Sequence, residues 1–144
     1  MPEQLEDLER LAERVRSALE AADLSAFGEL LDPDVRWGAP GDRSPACQNR
    51  AQVLSWYRRG RDAGVRARVS EVAVLGDRTI LVGLSVARNP AAPESGGEVE
   101  RWQVLTVDAG RVVDIVAFDQ RSEAVARAGR LLDEPVRRRR QPAR

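Results

Sequence analysis

R-W-Q-V-L-T-V-D-A-G-R-V-V-D-I-V-A-F-D, running from Arg101 to Asp119, reads as two long strands joined at Asp108-Ala109-Gly110. Asp-x-Gly between two Val/Ile-rich runs signals a hairpin, because Gly110 can take the positive φ that a three-residue loop demands. Strict alternation puts Arg101, Gln103, Leu105, Val107, Val113, Ile115, Ala117 and Asp119 on one face. The other face carries Trp102, Val104, Thr106, Val112, Asp114, Val116 and Phe118. Both faces are mostly apolar, so the hairpin is expected to be covered twice, by helices on one side and by a second subunit on the other.

Working outward, Leu8, Ala12, Val15 and Leu19 recur at helical spacing between Glu and Arg, which predicts a long amphipathic helix over residues 3 to 22. Asp23 is placed to cap a short second helix, Leu24 to Leu31, that Asp32-Pro33-Asp34 ends. Val35-Arg36-Trp37 reads as a brief strand, and the Gly/Pro-punctuated run from Gly38 to Gln48 as an irregular loop of the kind that walls pockets. Asn49 with Gln52 resembles a capping box ahead of a helix carrying Val53, Leu54, Trp56 and Tyr57. Two strands follow, Val65 to Leu75 and Thr79 to Ala87, turned at Gly76-Asp77. Asn89 to Gly97 connects them to the central hairpin. Ser122 then caps a last helix carrying Val125 and Ala128. Helices grouped before an antiparallel meander argue α+β, with a curved antiparallel sheet wrapped on the N-terminal helices.

At 144 residues the chain is one domain, expected over residues 1 to 134, long enough to bury roughly 70% of its unfolded surface and hold a cavity. It has no histidine, which excludes Ser-His and Cys-His catalysis and histidine metal sites. The single cysteine, Cys47, cannot form an intrachain disulfide and is read as a packed loop thiol. No charged-then-apolar leader and no 18-residue apolar run is read, so a cytosolic protein without a membrane role is expected. Every one of the 23 basic residues is Arg. Five of them stand in residues 137 to 144, leaving 18 against 23 acids on the body. An acidic body is not a nucleic-acid-binding face, and residues 135 to 144 are expected to be a solvated, disordered Arg-rich tail.

The element order, together with A-D-L-S-A-F-G-E-L-L-D-P-D-V-R-W, C-Q-N-R-A-Q-V-L, V-L-G-D-R and the D-A-G-R-V-V-D-I-V-A-F-D close, resembles the nuclear transport factor 2-like superfamily, and within it the SnoaL-like proteins of bacteria. The resemblance covers about residues 5 to 130. It implies a cone-shaped sheet-and-helix domain with an internal pocket, usually in homodimers, on a fold that hosts isomerases, hydrolases, cyclases and noncatalytic binders. In ketosteroid isomerases an acid on the penultimate strand helps bind the substrate oxygen, and that position falls here on Gln103. Their general-base Asp would stand near Trp37 and Gly38, where no carboxylate occurs. Limonene epoxide hydrolases follow their Arg two residues later with Asp, whereas Arg101 is followed by Gln103. The SnoaL-like cyclases rely on an Asp in an apolar pocket.

Asp119 is the one carboxylate that the alternation sets on the pocket face of the last two strands, and it is the candidate catalytic acid or base. That role needs burial beside Ile115 and Leu105. Otherwise Asp119 caps the final turn or pairs with Arg101 or Arg121. Glu71 competes for the role if Val69, Ala73 and Leu75 face inward. Arg101 is either the partner of Asp119, an exposed strand-edge residue or a receptor for a ligand carboxylate. Trp37, Tyr57, Arg101, Gln103 and Ile115 are the expected ligand-binding residues, with Phe27 and Trp56 lining the cone or serving as core. The reading is a domain that binds a small, largely apolar molecule, with no cofactor or metal implied. The alternatives are a cofactor-independent isomerase, cyclase or hydrolase using Asp119, and a noncatalytic dimerisation or assembly domain. Trp102, Val104, Val116 and Phe118 form the expected homodimer interface.

Overall fold

The structure, a computed structural model, describes residues 2–41, 44–87 and 98–133. The connection expected over Asn89 to Gly97 and the Arg-rich stretch 135 to 144 lie outside the described residues. Helix α1 spans Pro2–Glu20 and buries Leu8, Leu11, Ala12, Val15 and Ala18, a stripe at three- and four-residue spacing. Ala22 ends it at φ 53°, while the Asp23 N–H reaches back to Ala18 O at 2.9 Å, a left-handed cap built on alanine. The Asp23 carboxylate then accepts from the Ala26 N–H at 3.0 Å and starts α2, Leu24–Glu29. Asn49 caps α3, Arg50–Asp62, through the Gln52 N–H at 2.9 Å. The Gln52 amide oxygen reaches back to the Gln48 N–H at 2.7 Å, so the capping box closes one residue earlier than its usual form.

The five strands are β1 (Leu31–Gly38), β2 (Arg66–Val74), β3 (Thr79–Ala87), β4 (Glu98–Asp108) and β5 (Arg111–Phe118), in the order β1-β5-β4-β3-β2. The sheet is mixed rather than wholly antiparallel, since β1 runs parallel to β5. A strand that enters the sheet before α3 and the whole meander is free of any hairpin to its neighbour, so nothing forces it antiparallel. Asp32-Pro33-Asp34 does not end a helix but lies inside β1, where the register slips between Leu31 and Arg36. Proline is tolerated there because β1 is an edge strand, and the Asp34 N–H is satisfied by the Asp32 carboxylate at 2.8 Å.

The central hairpin turns through Ala109 at φ 53° and Gly110 at φ 79°, with Asp108 paired to Arg111, a two-residue loop instead of the three expected. Thr106 then faces Asp114 while Val107 faces Val112, which leaves Val113 as the extra residue of a bulge. The bulge corrects strict alternation: Val112, not Val113, joins Val107, Leu105 and Ile115 on the inner face. A second slip between Val69 and Glu71 lets Val69, Val72 and Val74 all pack inward. Glu71 is thereby turned to the outer face and is not a pocket residue. On the inner face α1, α2 and α3 bury Val15, Phe27, Leu31, Val35, Val53, Ile80, Val82, Leu105 and Ile115 in one core.

The outer face is covered by α4, Arg121–Asp133. Among its described side chains Ala124 and Ala128, one turn apart, are buried, whereas Val125, expected to face the sheet, is exposed. The helix also begins at Arg121, one residue before the expected cap at Ser122. Small side chains let the helix backbone approach Leu81, Val104 and Phe118, which are buried with Ala124 in a second core. Two of the four residues expected at a subunit interface, Val104 and Phe118, are therefore buried within a single chain, while Trp102 and Val116 keep part of their surface. Cross-strand register lines up Glu71, Gly83, Trp102 and Phe118 in one outer row. Arg121 clasps Glu71 through two 2.9 Å hydrogen bonds and lies 5.8 Å over the Trp102 ring, fixing the start of α4. That guanidinium holds the Glu71 carboxyl below its ordinary range.

Trp102 lies flat across Gly83, where an added Cβ would collide with Trp102 Cζ3. Gly83→Ala should thus expel the indole from its row and cost about 2 kcal/mol, in the range of overpacked sites. Urea unfolding monitored by near-ultraviolet circular dichroism checks this: a variant with unchanged midpoint and aromatic signal contradicts the placement of Trp102.

Candidate functional site

Register sets the polar groups of the inner face in order. Trp37, Ile115, Leu105, Ile80 and Val74 form one cross-sheet row, and Ala117, Gln103, Val82 and Val72 form the next. Arg101, Leu84 and Val69 form a third. Gln103 is thus a polar residue in an apolar row, 6% exposed, and it needs a partner. Tyr57 from α3 supplies one: Gln103 Nε2 donates to the Tyr57 hydroxyl at 3.1 Å, and that hydroxyl lies 3.4 Å from Gln103 Oε1. The Tyr57 ring is held by stacking on Phe27, centroids 5.3 Å apart and planes at 9°.

Trp37 completes the group. Its backbone exchanges hydrogen bonds with Cys47 at 3.0 and 3.1 Å, which pins the far end of the Gly38 to Gln48 loop against β1. Its ring packs at 5.3 Å against Trp56, which is exposed. Trp37 Nε1 is buried and has no hydrogen-bond partner. It lies near enough to the Tyr57 hydroxyl to favour the ionised phenol, but outside hydrogen-bonding geometry. Burial dominates, and the enclosed hydroxyl of this half-buried residue is pushed up to about 12. Tyr57 is therefore a neutral donor at pH 7, and so are Gln103 and Trp37. Cys47 is buried beside this group, its Sγ 3.6 Å from Gln52 O, and burial pushes its thiol up as expected of a packed, inert cysteine.

Arg101 and Asp119 meet in an ion pair one row beyond Gln103. The Asp119 side chain is 73% exposed and that of Arg101 35%, so the burial expected of a carboxylate base beside Ile115 and Leu105 is not found. Asp119 sits past the end of β5 and reaches sideways to Arg101 instead of into the core. The structure thus brings Trp37, Tyr57, Gln103 and Ile115 together and sets Arg101 with Asp119 at the margin of the same face. Alternation alone placed Gln103 on the inner face, where the structure has it, but the lone Trp37 N–H had no sequence signal. A separate groove of about 500 Å³ between α1 and α2 is lined by Arg10, Glu13, Arg14 and Glu29 among others, and by none of these residues. Among the described residues no group of three or more carboxylates or thiols is gathered for a metal, and no helix is long and apolar enough to cross a membrane.

A five-stranded mixed sheet with three helices on one face and a closing helix on the other defines the class: the cystatin-like, nuclear transport factor 2-like α+β fold. The SnoaL-like domain matches residues 12–115, and the chain belongs to that family. Among solved structures it is similar to a "putative ketosteroid isomerase" from Kribbella flavida, with 16% identity, TM-score 0.65, and coverage of 95% of this chain and 87% of that one. A "putative polyketide cyclase" from Sinorhizobium meliloti shares 24% identity over 76% of this chain and 94% of that one, with TM-score 0.57. A cystatin-fold protein from Novosphingobium aromaticivorans shares 15% identity over 78% and 97%, with TM-score 0.63. No curated protein matches the sequence. Residues 116 to 144, α4 among them, fall beyond the matched domain.

The raised phenol predicts a pH signature. A folded-state value of about 12 against an ordinary 10 means the folded chain holds the Tyr57 proton more tightly than the unfolded chain. The resulting stability is whole below pH 10 and lost as pH rises toward 12, by about 3 kcal/mol in total. Tyr57→Phe should lose that pH-dependent component and, by leaving the Gln103 amide unpartnered, start about 1–2 kcal/mol less stable at pH 8. Urea titrations of both proteins between pH 8 and 11 measure the difference.

Proposed function

We propose that this SnoaL-like domain binds a small, largely apolar molecule against the inner face of its sheet, with a carbonyl or hydroxyl oxygen of the ligand held by Trp37, Tyr57 and Gln103. The single observation that carries the reading is the buried Trp37 Nε1 without an acceptor, set beside a neutral Tyr57–Gln103 pair in apolar surroundings. An unmet buried donor costs about 1–3 kcal/mol, and a ligand oxygen would remove that cost. Val69, Val72, Val86, Leu54 and Ile115 supply the apolar wall, and no cofactor enters the reading. The probe is valerophenone, an apolar ketone, titrated against the fluorescence of Trp37 and Trp56. Trp37→Phe and Gln103→Leu should each weaken its binding roughly tenfold, the worth of one good hydrogen bond. Wild-type protein that does not bind the ketone, or variants that bind it equally well, would refute the reading.

A second reading is a cofactor-independent isomerase, cyclase or hydrolase in which Asp119 moves a proton, with Arg101, Gln103 and Tyr57 around it. What favours it is the Arg101–Asp119 pair on the ligand-facing side of the sheet, together with the names of two similar structures. Asp119→Asn keeps shape but cannot take a proton. With a turned-over substrate in hand, its kcat should fall at least a hundredfold if Asp119 is the base, and unchanged turnover removes it from the chemistry. Assembly through the exposed parts of Trp102 and Val116 is tested separately, by sedimentation of Trp102→Glu against the wild type.

A further inference from the structure

Two arginines that meet carboxylates across the sheet are paired differently. Arg121 gives both Nε and Nη2 to Glu71, each at 2.9 Å, the two-pronged geometry that satisfies a guanidinium. Arg101 gives Asp119 only Nη1, and among the described residues its Nε and Nη2 have no acceptor. Glu71 cannot supply one, because it stands on the opposite face of the sheet and is already taken. Arg101 nevertheless projects from an apolar row, with Leu84 and Val69 beside it, and two-thirds of its side chain is out of water. A guanidinium in such a place calls for a full counter-ion. Among the described residues the one it has is a mostly exposed carboxylate just beyond the end of β5, and exposed pairs of this kind hold weakly.

We infer that Arg101 is the receptor for a carboxylate on the ligand, and that Asp119 occupies this receptor as a stand-in until the ligand arrives. The inference rests on the binding reading above and names its ligand class: an apolar monocarboxylic acid that also carries a carbonyl or hydroxyl oxygen. Arg101 and Gln103 are two residues apart on one strand face, which sets the two groups about 7 Å from each other. The ligand's oxygen meets Gln103, Tyr57 and Trp37, its apolar body lies along Val69, Val72 and Val86, and its carboxylate takes the free edge of the guanidinium at the margin of the sheet. Asp119 is then a competitor of the ligand, the reverse of its part in a proton-transfer mechanism. Removing its charge strengthens acid binding.

The test uses δ-benzoylvalerate, which is valerophenone extended by a terminal carboxylate, and the matching primary amide. In wild-type protein the acid should bind about tenfold more tightly than the amide, as a charge-assisted pair requires. Arg101→Gln should bring the acid down to the affinity of the amide. Asp119→Asn should raise the affinity for the acid about threefold, the worth of an exposed ion pair, and leave the amide unmoved. A purely structural ion pair predicts the opposite pattern, in which Asp119→Asn lowers the melting temperature and the ratio of acid to amide stays the same in all three proteins. Equal binding of acid and amide by the wild type overturns the carboxylate receptor while leaving the ketone-binding reading intact. If the wild type binds neither valerophenone nor the acid, both readings fall together.

Discussion

Everything in this molecule follows from a sheet whose central strands are apolar on both faces. From Thr79 to Ser85 every residue of β3 is buried, with Ile80, Val82 and Leu84 pointing one way and Leu81 the other. Neither face is stable in water, since at roughly 25 cal/mol per Å² each large side chain left out would forfeit on the order of 2 kcal/mol. The two faces are covered by unlike means. Three helices with branched and aromatic side chains fill the inner face, whereas a single helix presenting Ala124 and Ala128 lies over the outer one. The choice of small residues on α4 is matched by Trp102 and Phe118 beneath it, and Gly83 is the gap that lets Trp102 lie flat.

The inner cover has the consequence for function. Gln103, Tyr57 and Trp37 converge on this inner face, beside apolar residues such as Val72, Val86 and Ala117 that are only half-buried. Polar groups placed in an apolar wall are expensive unless satisfied. Gln103 and Tyr57 satisfy each other; Trp37 is left over. That orphan donor is the feature on which the proposed recognition of a ligand oxygen rests. All three donors are neutral, which suits the proposed role of holding and orienting a ligand better than one of transferring protons.

Membership of the SnoaL-like family sets the frame on which these residues stand, and likenesses of 15 to 24% identity carry the fold and nothing finer. Departures within this chain are more telling. The carboxylate expected to act from an apolar pocket, Asp119, is instead exposed and paired with Arg101. The helix α4 stands beyond the matched domain and hides part of the face through which self-association was expected. Its anchoring by Arg121 to Glu71 and over Trp102 joins the far edge of the sheet to the chain's last described helix.

Local rules were enough for much of the architecture. The Asp23 and Asn49 caps, the stripe of α1, the two hairpins and the α+β class all follow from interactions among residues close in sequence, and the structure contains each of them. The same alternation set Gln103 on the inner face, and its pairing with Tyr57 was added by the packing of α3. What the sequence could not specify depended on contacts between distant segments. Bulges at Val113 and between Val69 and Glu71 moved Val112 inward and Glu71 outward, because a pleat slips by one residue where partner strands and covering helices demand it. The parallel seating of β1 beside β5, the rotation of α4 onto its alanines and the unpartnered Trp37 N–H were likewise decided only in three dimensions. Periodicity tells a residue which face of its own element it occupies; which element that face will meet, and whether a donor finds an acceptor there, is settled by packing.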